Sequence, residues 1–381
     1  MLKLAGKIKP LGITGIQQPR FLTITSNSSL PSAIRHKYAV ITGDARPETG
    51  YGAVLFRNSS DTCIENGYEL PIDFDYLKDG DIVWIDPMRS QLHVLFRKGS
   101  PHNTILLTER CNHYCLMCSQ PPRGVEDSYL LDRTFDLISL IPKDTRQLGF
   151  TGGEPTLYGH RLVDLIQHMK AQLPNTSIDV LTNGRRFKDK QYTRNIAAVR
   201  HPDCMFGIPL YSDDPVRHDY VVQAKGAFDE TIHGILNLKR FDQKVEIRIV
   251  LHRETISRLV PTCEFICRNL LFVDHVALMG LEITGFTRPN LDLLWIDPYE
   301  YKDALTEAVA ILNSYGMNAS VYNHQLCVVN RDVEKNYRKS ISDWKNEYIE
   351  ACAPCTRKAE CGGFFSSSKM YRYSDHIKAF V

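Results

Sequence analysis

An α/β architecture built on a parallel sheet is what these 381 residues encode. From Thr104 to about residue 314, short apolar runs alternate with longer segments of helical period, six times over. Such alternation produces parallel strands joined by right-handed crossover helices. Six units are too few to close an eight-stranded barrel, so a partial (β/α)6 barrel is expected over residues 101–315. The unusual Cys-, Gly- and Asp-containing motifs all fall at the C-terminal ends of strand runs, where sheets of this kind bind ligands. Residues 1–100 read as a β-rich domain and residues 316–381 as a cysteine-rich C-terminal region.

The β-rich reading rests on Tyr38–Thr42, Gly52–Phe56, Asp81–Ile85 and Leu92–Phe96, each a short run of strand-forming residues. Asp86-Pro-Met-Arg-Ser90 joins the last two as a hairpin turn. The Gly-bearing stretch Thr42–Gly52 lacks the Gly-Lys-Ser/Thr of a phosphate loop and reads as a plain loop. In the barrel, strands are expected at 104–110, 146–151, 177–182, 204–210, 244–251 and 274–280. Helices are expected at about 130–141, 159–173, 189–199, 226–240, 255–270 and 298–314.

Composition narrows the function classes. Lys+Arg of 46 against Asp+Glu of 44 gives a net charge of +2. That is no footprint for nucleic acid. The N-terminal Met1–Pro10 lacks the apolar core of a signal peptide, and no run is long enough to span a membrane. Eleven cysteines without an export signal argue for a reducing, cytoplasmic setting and for metal in place of disulfides. Seven of them fall into two groups. Cys63, Cys204, Cys263 and Cys267 stand apart and read as small core residues.

The first group is Cys111-x3-Cys115-x2-Cys118, at the end of the first barrel strand. Three thiolates on one loop hold three irons of a [4Fe–4S] cluster and leave the fourth iron open. Structural zinc is the other reading of the loop; it wants a fourth ligand, for which His102 and His113 are at hand. Thr151-Gly-Gly-Glu-Pro155 follows the second strand, Thr182-Asn-Gly184 the third and Tyr211-Ser-Asp-Asp214 the fourth. His218-Asp219 reads as a loop hydrogen bond or helix cap, with a catalytic pair as the alternative. The second cysteine group is Cys352-x2-Cys355-x5-Cys361, with Cys327 upstream as a fourth ligand. Four thiolates make a closed site, which zinc and an auxiliary [4Fe–4S] cluster fit alike. Arg357 and Lys358 within the loop would offset its negative charge.

With Cys111-x3-Cys115-x2-Cys118, Gly152-Gly153-Glu154-Pro155 and Thr182-Asn183-Gly184 in this order, the sequence resembles the radical S-adenosylmethionine (SAM) superfamily. The resemblance implies that Cys111, Cys115 and Cys118 hold a [4Fe–4S] cluster whose open iron binds SAM, and that a 5′-deoxyadenosyl radical takes hydrogen from the substrate. It further implies that Gly152, Gly153, Glu154 and Pro155 meet the methionine amino end, that Met117 lies against the adenine, and that Ser212 meets the ribose or the methionine carboxylate. Asn183 and Arg248 are implied at the same end. Peptide-modifying members carry auxiliary clusters where Cys327, Cys352, Cys355 and Cys361 stand, which favours iron–sulfur over zinc there.

Thr108–Pro122 and Ile341–Asn346 with Cys361–Ser367 are similar to the His-Xaa-Ser system radical SAM maturase, C-type subunit, over about residues 80–367. This implies a ribosomally made precursor peptide as substrate, a partner maturase subunit, and an electron donor such as flavodoxin or ferredoxin. A two-cluster radical SAM enzyme acting on a small molecule or nucleotide, and a non-catalytic cluster-bearing subunit, are the alternatives. No catalytic acid or base can be named. Tyr114, Tyr211 and Cys204 are the candidate hydrogen-atom donors. The first hundred residues either dock a precursor or partner, or cap the sheet.

Overall fold

The computed structural model describes residues 2–12, 18–43, 46–57, 64–339 and 346–381. Cys63, part of the Thr42–Gly52 loop and most of the Ile341–Asn346 motif lie outside the described residues. The chain forms two compact units, one of Met1–Asn103 with Asp136–Thr145, the other of Thr104–Phe135 with Arg146–Val381.

The first unit is an eight-stranded sheet. In sheet order its strands are Ala5–Lys7, Gln91–Phe96, Ile82–Asp86, Arg20–Thr25, Tyr38–Thr42, Ala53–Phe56, Gly67–Glu69 and Lys9–Pro10. The two ends of this order are separated in the chain by Ile8 alone, so one short segment ties both edges and rolls the sheet into a barrel. Ile8 is buried with Leu22, Leu55, Tyr68, Phe74 and Leu92 in the interior. The expected hairpin is present: Asp86 faces Gln91 across the antiparallel pair. Arg20–Thr25 and Gly67–Glu69 carry no clear alternation and were not legible as strands.

The second unit holds seven strands: β1 (Asn103–Thr108), β2 (Gln147–Gly152), β3 (Ser177–Leu181), β4 (Cys204–Pro209), β5 (Lys244–Leu251), β6 (His275–Gly280) and β7 (Ala319–Tyr322). They lie side by side in chain order and leave β1 and β7 as edges, so the sheet is open. From β2 to β7 each neighbouring pair is parallel. The connecting helices are α1 (Ser128–Leu140), α2 (His160–Gln172), α3 (Lys190–Ala198), α4 (Pro215–Val222), α5 (Ala227–Arg240), α6 (Leu259–Asn269) and α7 (Lys302–Ser314). The α/β sheet with its β-rich N-terminal part agrees with the sequence expectation, strand by strand to within two residues.

Two elements add to it. A seventh strand, β7, was hidden because its four residues, Ala-Ser-Val-Tyr, show little pattern. Helix α4 lies in the stretch read only as a motif; Asp214 caps it, its carboxylate accepting from Val216 N at 2.9 Å, with Pro215 in the first turn. Strand side chains alternate between a buried face and the barrel interior, as in the run Lys244–Leu251. No described helix is long and apolar enough to cross a membrane.

Candidate active site

The cysteine loop leaves β1 through a pinned turn. Asp127 is buried and accepts from Thr108 Oγ1 at 2.9 Å, Glu109 N, Arg110 Nε at 3.1 Å and Tyr158 OH at 3.2 Å. Burial alone would raise its pKa. The donors and the Arg110 charge outweigh that and hold the carboxyl below its ordinary value.

Beyond this turn the loop is held from two sides. Its amides donate to the end of α4, Tyr114 N to Val222 O at 3.1 Å and Leu116 N to Val221 O at 3.0 Å. Its carbonyls accept from the segment after β6. Phe286 N meets Cys118 O at 2.8 Å, Thr287 Oγ1 meets Met117 O at 3.2 Å and Asn290 Nδ2 meets Leu116 O at 2.9 Å. Gly285, at φ +52°, lies against the Cys118 and Ser119 carbonyls where a Cβ has no room. These clamps sit about 100 and 170 residues away in sequence, and no local pattern announces them.

The Gly-Gly-Glu-Pro turn is a further brace. Gly153 N donates to Thr108 O and Glu154 N to Arg110 O, both at 2.8 Å. A Cβ on Gly152 would strike Thr108 O, and one on Gly153 would strike Arg110 O. The close approach these glycines allow is therefore to the cysteine loop itself. Glu154 is fully buried, and its carboxylate accepts from Thr156 N, Thr156 Oγ1, Thr182 Oγ1 and Asn183 N, between 2.6 and 2.9 Å. Burial still raises its pKa, against those four donors. Glu154 thus ties the β2 turn to the β3 turn, with its lone pairs spent inside the protein.

A cleft of about 400 Å³ opens over the strand ends. Of the residues singled out from sequence, Cys111, Cys115, Cys118, Met117, Gly152, Gly153, Asn183 and Arg248 line it. Glu154, Pro155 and Ser212 are not on its wall. Ser212 is buried, with its hydroxyl accepting from Asp214 N at 3.0 Å ahead of α4. Arg248 is held by Glu246 at 3.2 Å and donates to Met279 Sδ at 3.3 Å. Asn183 Nδ2 donates to Asn112 Oδ1 at 2.6 Å. Of the three hydrogen-donor candidates, Tyr211 lines the cleft, Tyr114 is exposed, and Cys204 is buried at the opposite, N-terminal end of β4. His218 Nδ1 accepts from Tyr211 N at 3.2 Å, and Asp219 accepts from Gly226 N and Phe228 N at the start of α5. The pair is a loop bond and a helix cap.

Burial governs the three thiols. Burial first, then the neighbouring charges of Glu154 and Cys118, pushes Cys111 up to about 12. Burial and the two other cysteines push Cys115 higher still, and burial raises Cys118. His113 N also donates to Cys111 Sγ at 3.4 Å. His113 itself is buried on the cleft wall and pushed down to about 3 by burial and Arg185, and its Nε2 has no partner. Among the described residues, no three His, Cys, Asp or Glu side chains are gathered as ligands of a single metal ion.

The four C-terminal cysteines come together. Cys327, Cys352, Cys355 and Cys361 line one small cavity with Gln325, Phe364 and the tail residues 377–380. Leu326 N and Gly363 N each donate to Cys361 Sγ at 3.4 Å. Lys358 lines this cavity, as the charge argument requires. Arg357 does not: it turns away to Glu334 at 2.8 Å and Glu360 at 2.7 Å, which use up its charge. Cys263 and Cys267 are buried in α6, as core residues.

Residues 105–266 match the family model described as the Radical SAM superfamily. With the fold and the cysteine loop, this match marks residues 105–266 as a domain of the radical SAM kind. The class uses a [4Fe–4S] cluster and SAM. The chain is similar to a probable GTP 3′,8-cyclase of Methanocella arvoryzae, 29% identical over 136 residues, covering 34% of this chain and 41% of that protein. Among solved structures it resembles native anSMEcpe with bound AdoMet, with TM-score 0.50, 12% identity, 72% of this chain and 92% of that one. It also resembles Streptococcus suis SuiB bound to S-adenosylmethionine, with TM-score 0.47, 15% identity, and coverage of 58% and 50%. The chain thus spans less than half of the curated relative and half of SuiB.

Proposed function

We propose that this protein is a two-cluster radical SAM maturase that modifies a ribosomally made precursor peptide of the His-Xaa-Ser type, by hydrogen abstraction from a substrate carbon. The observation that carries this reading is the pairing of an open three-cysteine site on the cleft with a closed four-cysteine cavity in the same unit. When bound, the cluster and SAM supply a primary carbon radical able to take hydrogen from an unactivated C–H bond. The chain's own tasks are then to hold, aim and shield. Cys111, Cys115 and Cys118 hold the cluster, and Cys327, Cys352, Cys355 and Cys361 hold an auxiliary [4Fe–4S] cluster. Gly152, Gly153, Met117, Asn183 and Arg248 shape the SAM pocket. Glu154, Pro155 and Ser212 set the backbone behind it.

The peptide substrate rests on the motif resemblance, and a fold neighbour, anSMEcpe, has been solved with AdoMet and a Cp18Cys peptide. A partner maturase subunit and a flavodoxin- or ferredoxin-type donor complete the system, in the cytoplasm. By role the chain divides into 1–100, 101–315 and 316–381, with β7 of the last part completing the sheet of the middle one. The N-terminal sheet has both ends of its strand order tied by Ala5–Pro10, which favours a partner on its outer face or loops over strand addition.

Anaerobic incubation of the reconstituted protein with reductant, SAM and a His-Xaa-Ser precursor should change the precursor's mass or chirality. Formation of 5′-deoxyadenosine alone with every peptide offered would refute the substrate class. The cyclase resemblance favours a second reading, a nucleotide substrate. Conversion of GTP by the same preparation would establish it.

A further inference from the structure

We infer that a second pocket, opening beside the cleft, is an anion subsite that takes a carboxylate of the peptide substrate; this deepens the maturase reading and rests on it. The pocket lies past the C-terminal ends of β5–β7, beneath Phe365 and the helix Ser366–Tyr371. Gly280, Leu281, Asn323 and Phe365 line both it and the cleft, so the two spaces join. Gln325 lines both it and the four-cysteine cavity. The pocket therefore stands between the two cysteine sites.

Its charge is one-sided. Two cations, Lys339 and Arg372, line it, and no Asp or Glu is among its described lining residues. Arg110, Arg185, Arg258 and Arg357 of this unit each face a carboxylate, whereas Arg288 and Arg253, like Arg372, meet an aromatic ring or a carbonyl. Arg372 has no ion pair with a described carboxylate. Its guanidinium lies 3.9 Å from the centre of the Trp295 ring. Stacking fixes the plane of the group and leaves its N–H edge free for a two-pronged bond to a carboxylate. Lys339 Nζ donates to the Ala359 carbonyl at 3.0 Å, which holds the ammonium without neutralising it. Asn323 and Ser368 add neutral polar groups.

Size selects the anion. The enclosed space is about 40 Å³. One water needs about 10–15 Å³ measured this way, so the pocket takes a group of roughly three heavy atoms. A carboxylate has three. An acidic residue seated here leaves its chain neighbours in the cleft, which orients the reacting carbon by an anchor remote from the chemistry.

The test uses the full chain, reconstituted with iron and sulfide and supplied with SAM. Trp295 fluorescence is followed on titration with a synthetic His-Xaa-Ser repeat peptide bearing one Glu, and with the same peptide bearing Gln. The Glu peptide should bind about tenfold more tightly. The preference should vanish in Arg372→Gln and weaken in Lys339→Gln and in Arg372→Lys, whose ammonium keeps the charge but loses the stacked, two-pronged geometry, with iron content unchanged in all three. Equal binding of the two peptides, or an undiminished preference in Arg372→Gln, overturns the subsite. If the peptides are nonetheless modified, the maturase reading stands without it. If no peptide binds and GTP does, both fall together.

Discussion

The two cysteine sites are built in opposite ways. The first sits on a loop between β1 and α1, and the sheet dictates its position. Main-chain bonds from α4, from the 285–290 segment and from the β2 turn hold its backbone from three directions. Protein bonds alone span it, and one side is left open to the cleft. The second is assembled from irregular chain. Cys327 lies in a short 3-10 turn, Cys352 in another, and Cys355 and Cys361 in turns and coil. Its ties join irregular segments to one another, among them Glu347 N to Phe364 O at 2.9 Å, Thr356 N to Phe380 O at 2.8 Å and Tyr348 OH to the Lys358 and Cys361 carbonyls at 2.9 Å. A preorganised tripod suits a cluster that must offer a vacant iron. A coil wrapped around four thiolates suits a cluster that is part of the fold.

The sharpest break in this contrast comes from the tripod. Cys115→Ala should abolish SAM cleavage and lower iron from about eight to about four atoms per chain, with thermal stability of the metal-free protein little changed. Cys355→Ala should remove a similar amount of iron from the other site. There, however, hydrogen exchange should accelerate across residues 346–381 while residues 104–315 stay protected. Zinc at the second site would show itself as about four irons in the wild type.

Between these in kind lies Gly153→Ala. Its Cβ meets the Arg110 carbonyl, so the brace on the tripod must shift. A loss on the order of 2 kcal/mol in stability is expected, with reduced iron loading at the first site only. Glu154→Gln should cost a comparable amount, about 1–3 kcal/mol, because an amide N–H₂ then faces one of the four donors that the carboxylate accepts. Thermal denaturation and the iron count of each variant check both.

How much of this was readable beforehand differs between the two regions for a physical reason. Cysteine spacing is a local signal, so both groups were legible, and the strands and helices that carry the tripod have strong periods. The clamps were not. Thr287 and Asn290 look like ordinary loop residues, and their bonds to Met117 and Leu116 cross about 170 residues. Glu154 read as a ligand because motif spacing marks its place in the chain; that its oxygens are consumed by Thr156, Thr182 and Asn183 is a tertiary fact. Arg357 was assigned to the thiolates on the same local reasoning, which could not see Glu334 some 23 residues upstream.

The smallest effect concerns the junction between the regions. His324 follows β7 and precedes Cys327, and it is fully buried. Its Nδ1–H donates to Tyr322 O at 2.7 Å, and its Nε2 accepts from Tyr301 OH at 2.8 Å. Neither bond has room for a second ring proton, and burial pushes the group down to about 4. The unfolded chain binds that proton near 6.5. Between these two values the unfolded state holds more protons, so stability falls as pH drops through the window and levels off below it. Metal-free protein should therefore lose thermal stability between about pH 6.5 and 4. Part of that slope should disappear in His324→Gln, which starts less stable at pH 7. The same slope in both proteins would assign the acid sensitivity to other groups, such as His218 and His252, which burial also holds neutral.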